Sequence, residues 1–148
     1  MRDLDTISMS ITSAETGHLV IGTLHTINAA QSIDRIIDVF PGNQRGQIRV
    51  MVAESFVGVI SQQLVKTADG RGRVAAAEIL IATSPVKNLI REAKTYQLPS
   101  VMQMGRAHGI QLMDESLAIL CKEGKVSYET AFEKAENKEV FKKMARGA

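Results

Sequence analysis

Apolar positions in the first forty residues form two helical stripes with an apolar run between them. In "DLDTISMSITSAETG", Leu4, Ile7, Ile11 and Ala14 recur at spacings of three and four, which places them on one helix face. Asp3 is positioned to cap the start, and Gly17 to supply the left-handed residue after the end. "HLVIGTL", residues 18–24, is apolar on both faces and predicts a central strand of a parallel sheet. "NAAQSIDRIIDVFPG" predicts a second helix, with Asn28 as N-cap and Ile33, Ile36, Ile37 and Phe40 as its buried stripe. Pro41-Gly42 ends it.

"NQRGQIRVMVAES" predicts a third helix in spite of Gly46. "FVGVISQQLVKT" and "GRVAAAEILIA" then read as two strands, and Asp69-Gly70 between them signals an antiparallel hairpin. From Ser84 the pattern is helical, with Pro85 suited to the first position of "SPVKNLIREAK". "PSVMQMGRAHG", "QLMDESLAILCKEG", "SYETAFEKAEN" and "KEVFKKMARG" follow as short helices. There is no internal repeat and no low-complexity segment. A boundary near residue 84 separates an α/β part, 1–83, from an all-helical part, 84–148.

Composition narrows the function classes. The 148 residues amount to about one domain and can bury a core. A net charge of +2 is too small to argue for a nucleic acid or an anionic membrane as partner. The single cysteine, Cys121, makes no intrachain disulfide and no cysteine zinc site, which fits a reducing compartment. It lies in an apolar helical context and is expected in the core. No run approaches the roughly 18 apolar residues of a membrane span, and "MRDLDTISMS" lacks the apolar centre of a signal peptide. The default expectation is a soluble cytoplasmic protein.

Candidate chemistry concentrates at "TLHT", Thr23 to Thr26. Ligands of open α/β sheets bind beyond the carboxyl ends of strands. A helix starts just after this end, and its N-terminus favours an anion, commonly phosphate. His25 can donate to a phosphate oxygen there. On pattern alone the plainer reading, a strand cap or a bond to a backbone carbonyl, outweighs that role. His18 and His108 read as turn and loop residues. No histidine pair has metal-ligand spacing, so a His/Cys metal site is rejected. Glu15, Glu54 and Glu78 lie nearest the apolar segments and are general-base candidates. For each, pairing with Arg or Lys at a helix end or edge strand is the preferred reading. In "SPVKNLIREAK", Leu89 and Ile90 can anchor one face while Asn88, Arg91 and Glu92 point elsewhere, with local ion pairs worth about 0.2–0.5 kcal/mol each. No GxxxxGK[ST] phosphate loop occurs, and "GRGR" at 70–73 is a hairpin turn.

Several stretches line up, in order, with one family. "MRDLDTISMSITSAETGHLVIGTLHT" resembles the segment after the Walker B glutamate of secretion ATPases, typically Gly-Glu-Met-Arg-Asp. "TLHT" is similar to their histidine box. "RIIDVFP" and "ISQQLV" continue the match. "PVKNLIRE" resembles the retraction motif written AIRNLIRE, with Pro85-Val86-Lys87 in place of Ala-Ile-Arg. The chain thus resembles the type IV pilus retraction ATPases of the secretion ATPase superfamily. Extension and type II secretion ATPases typically carry a four-cysteine zinc insertion here, and the cysteine-free hairpin favours the retraction branch.

The resemblance implies an α/β fold: the C-terminal part of a RecA-like P-loop NTPase core with an incomplete sheet, plus a helical C-terminal region. It implies a ring homo-hexamer that uses ATP and Mg²⁺ to drive pilin removal at the pilus base. The implied partner is the inner-membrane pilus platform protein, with no nucleic acid. The implied location is the cytoplasmic face of the bacterial inner membrane. His25, with Thr23 and Thr26, matches the γ-phosphate sensor. Arg2 and Asp3 match the residues after the Walker B acid. Asn88, Leu89, Ile90, Arg91 and Glu92 match the retraction motif. The phosphate loop, the catalytic glutamate, the arginine-rich acidic box and the N-terminal domain have no counterpart in these residues. The chain is therefore expected to be a C-terminal piece from a truncated or mis-started gene, with no ATPase activity alone. Two alternatives stand beside this: a non-enzymatic assembly module with open sheet edges, and an accessory paralogue of the retraction ATPase.

Overall fold

The computed structural model describes residues 1 and 3–146. Helix α1, Leu4–Glu15, starts where Asp3 accepts the Thr6 N–H at 2.8 Å. It ends at Gly17, whose φ of +92° is the left-handed value that glycine adopts without strain. Ile7 and Ile11 bury its inner face, while Leu4 is exposed. Helix α2, Ala29–Asp38, is capped by Asn28, which accepts the Gln31 N–H at 3.0 Å. Its stripe of Ile33, Ile37 and Phe40 is buried, with Ile36 at the edge. Helix α3, Arg45–Ser55, forms across Gly46 and buries Ile48, Val52 and Ala53.

The expected strand over 18–24 does not form. This segment has no regular structure, and Leu19 and Ile21 are 76% and 88% exposed. A strand needs a neighbour to satisfy its N–H and C=O groups. A two-sided apolar strand also needs cover on both faces. No strand pairs with this run among the described residues. It is held near Thr23, whose carbonyl accepts from the Met1 ammonium at 2.8 Å.

The hairpin is as expected. β1, Gly58–Lys66, and β2, Arg73–Ile81, pair antiparallel from Gly58↔Ile81 to Lys66↔Arg73. At the turn, the Gly70 N–H donates to the Thr67 carbonyl at 2.9 Å, with Gly70 at φ +70°. Asp69 accepts from Thr67 Oγ1 and from the Arg71 N–H at 3.1 Å, and these bonds, the hydroxyl's foremost, hold its pKa below the usual carboxylate value.

The remaining helices are α4, Ser84–Arg91; α5, Leu98–Met104; α6, Met113–Lys122; α7, Tyr128–Lys134; and α8, Lys138–Arg146. Pro85 is the second residue of α4, not the first; either place spares it a lost hydrogen bond, because first-turn N–H groups have no intrahelical partner. Two apolar cores result among the described residues. The first joins α1, α2 and α3 to Leu80, Val86, Ile90, Leu98, Met102 and Ile110. The second joins Val65 and Ala76 of the hairpin to Met113, Leu117, Val126 and Phe141. The division between cores therefore does not fall at residue 84, since α4 and α5 pack with the N-terminal helices. Cys121 is only partly buried, at the margin of the second core.

Candidate functional site

The polypeptide leaves the exposed run at Thr23 and enters α2 at Ala29. Between them, Thr23 and His25 are exposed and Thr26 is partly buried. Thr26 Oγ1 lies 2.6 Å from Ser32 Oγ, which also donates to the Asn28 carbonyl at 3.0 Å. The loop is thus stitched to the first turn of α2. His18 lies apart from it, with Nδ1 3.1 Å from Thr16 Oγ1.

Two N–H groups of the α2 N-terminus have partners within the chain. The first N–H, of Ala29, donates to Glu78 Oε1 at 2.7 Å, and the Gln31 N–H is taken by Asn28. The anion that the helix dipole favours is thus supplied by the chain itself. Glu78 is 4% exposed on the inner face of β2. Burial foremost raises its pKa above the ordinary glutamate value, and the nearby Glu136 and Asp114 charges add to the rise. The bond from the Ala29 N–H and, after it, the nearby Met113 N–H oppose it. The expected Arg or Lys partner is replaced by backbone donors. Asp114, also buried, accepts the Glu136 and Asn137 N–H groups at 2.7 and 2.9 Å and so fixes the turn between α7 and α8 to α6.

A second cluster is built on α4. Val86 and Ile90 are fully buried and Leu89 half-buried, while Asn88, Arg91 and Glu92 face outward, as the spacing predicts. Arg91 Nη2 meets Glu54 Oε1 at 2.5 Å, and its Nη1 donates to Asn88 Oδ1 at 2.7 Å. Lys87 Nζ donates to the Glu54 carbonyl at 3.0 Å. The hydrogen bond from Arg91, then its charge, holds Glu54 below the usual carboxylate value. Glu54 is therefore a paired helix-end carboxylate and not a poised base. Glu92 is paired with Lys94 at 2.7 Å, which lowers its pKa in the same way. Asp3 acts as the α1 cap, and its bonds to Thr6, the backbone one foremost, hold its pKa down. Arg2 lies outside the described residues. The 23–26 loop and the α4 cluster are built on separate elements.

Among the described residues no group of three or more His, Cys, Asp or Glu is arranged to hold a metal ion, and no helix is long and apolar enough to cross a membrane. A family model described as Type II/IV secretion system protein matches residues 1–145. The chain belongs to this family. A twitching motility protein of Neisseria gonorrhoeae is 54% identical over 139 residues, covering 94% of this chain and 37% of that protein. The type IV pilus retraction ATPase PilT of Pseudomonas aeruginosa is 51% identical over 141 residues, covering 95% of this chain and 41% of PilT. Among solved structures, the pilus retraction motor PilT with bound ADP superposes with a TM-score of 0.85 at 43% identity, over 97% of this chain and 40% of that one. The α/β fold matches the C-terminal part of the PilT-like structure. The chain thus spans about two fifths of the length of these secretion-family relatives.

Proposed function

We propose that this secretion-family chain is the C-terminal portion of a motor ATPase that retracts type IV pili and so drives twitching motility. The observation that carries the reading is the α4 helix: "PVKNLIRE" keeps its apolar side in the core and presents Asn88, Arg91 and Glu92 outward. The match to PilT at 51% identity supports it. In this reading the outward residues serve retraction, and Thr23, His25 and Thr26 sense the nucleotide. Arg2 and Asp3 follow the Walker B acid. The whole motor is a ring homo-hexamer working on the pilus platform protein at the cytoplasmic face of the inner membrane.

ATP with Mg²⁺ supplies a phosphoryl group whose developing charge must be cradled and neutralised. The residues present do not fit that task alone. The first N–H of α2 is committed to Glu78 and the Gln31 N–H to Asn28. In this reading His25, Thr23 and Thr26 form one edge of a nucleotide site whose phosphate cradle they do not supply, and the chain alone is inactive. The exposed Leu19 and Ile21 favour a second reading, an interaction module that pairs through this run.

Mg-ATP turnover tests the reading in two samples. The chain alone should stay at background. A chimera in which these residues replace the matched region of PilT should hydrolyse ATP, and His25→Ala should slow it. Turnover by the chain alone that is lost in His25→Ala would overturn the account.

A further inference from the structure

Glu78 sits between Ala76 and Leu80 on the buried face of β2. Its carboxylate takes the first N–H of α2, from Ala29 at 2.7 Å. A helix N-terminus thus ends on this carboxylate and offers the N–H donor and partial positive charge that a buried carboxylate requires.

β2 is itself joined to the start of α6. Gln111 and Ile79 exchange both N–H···O bonds, at 2.8 and 2.9 Å. Gln111 Nε2 donates to the Ala77 carbonyl at 2.8 Å, and the Ala77 N–H donates to Ser116 Oγ at 3.0 Å. β2 is thereby fixed to the start of α6. The start of α2 reaches β2 through Glu78, and the 23–26 loop runs into that start.

We infer that Glu78 is the positioning residue of the 23–26 loop: its carboxylate ties the loop's exit at Ala29 to β2, and β2 carries that tie through Gln111 and Ser116 to the first turn of α6, so that the loop and the helices after Met113 shift together. This rests on reading Thr23, His25 and Thr26 as the sensor, and it adds the path by which the sensor reaches the helical region. Glu78 touches no substrate in this scheme.

The test needs no nucleotide, so its failure is separable from failure of the motor reading. Amide NMR spectra of the 148-residue chain are followed from acid to neutral pH for the wild type, Glu78→Gln, Glu78→Asp and the control Glu115→Gln, which removes from α6 the partner of Arg106. The titratable groups facing Glu78 are Asp114 of α6 and Glu136 of the turn before α8. Ser61, its partner on β1, and Asn28, beside α2, do not titrate. Asp114 is read separately at the Glu136 and Asn137 amides that it accepts.

In the wild type, Ala29 and Met113 should report one shared midpoint above the ordinary glutamate range. Glu78→Gln should abolish it, move the 23–26 resonances, and speed exchange at Ala29 and Met113 by about tenfold or more relative to Leu117. Glu78→Asp keeps the charge on a shorter arm and should loosen Ala29 while the fold persists. Glu115→Gln should do none of this. Separate midpoints at Ala29 and Met113 in the wild type would overturn the inference without any variant. So would 23–26 resonances that stay fixed in both Glu78 variants.

Discussion

Arg91 Nη2 lies 2.5 Å from Glu54 Oε1, although 37 residues separate them, and this contact closes the outward face of α4 onto the end of α3. Both side chains are solvent-accessible, so the pair sets orientation more than stability. Glu54 has a lowered pKa, caused first by the Arg91 hydrogen bond. Its contribution is therefore present above the ordinary glutamate pKa and lost as pH falls through the lowered one. The Glu54 carboxyl titration should move up toward the ordinary value in Arg91→Ala and in high salt. An unmoved midpoint would show that the pair does not form in solution.

Asp114 accepts two backbone N–H groups from the α7–α8 turn while buried. Asp114→Ala leaves those donors without their acceptor and should cost about 2–3 kcal/mol in urea unfolding. Asp114→Asn keeps one acceptor oxygen and should lose less. Equal losses would mean that the side chain is not acting as an acceptor.

Gly58 is required by close approach. A Cβ there would stand 2.7 Å from the Leu80 carbonyl oxygen, a backbone atom that cannot swing away. Gly58→Ala should destabilise the chain by about 1–3 kcal/mol and weaken the open end of the hairpin. By contrast, Gly46→Ala in α3 meets nothing within 4 Å and should stabilise by about 1 kcal/mol. Thermal unfolding of the two variants reads both directions.

Leu19 and Ile21 stand in water on a run with no strand partner among the described residues. Such a run invites pairing with another chain. Light scattering after size exclusion should show self-association that falls in Leu19→Ser/Ile21→Asp, with the melting temperature little changed. A wild-type chain that stays monomeric at every concentration would contradict this.

The helix caps and the hairpin were readable because their signals are local. Asp3 and Asn28 each precede a periodic apolar stripe, and Asp69-Gly70 separates two strand-like runs. The run at 18–24 has the pattern of a buried strand, but strand formation depends on a neighbour that local pattern cannot supply. Glu78 differs from the expectation in its partner, a backbone N–H in place of an Arg or Lys. The register of "RVAAAEILI" carried a usable signal: Ala76, Glu78 and Leu80 alternate on one face, and a glutamate on the buried face must find donors. That the donor is the start of α2 depends on a contact between residues 49 apart in sequence.

Pilus retraction by the chimera tests the central claim most directly. Bacteria lacking PilT would carry PilT with its matched region replaced by these residues, beside the same chimera bearing Arg91→Ala. Twitching should be restored by the first and lost in the second, while purified samples of both hydrolyse ATP. A chimera that accumulates normally and hydrolyses ATP but does not restore twitching would contradict the assignment of this chain to a retraction motor.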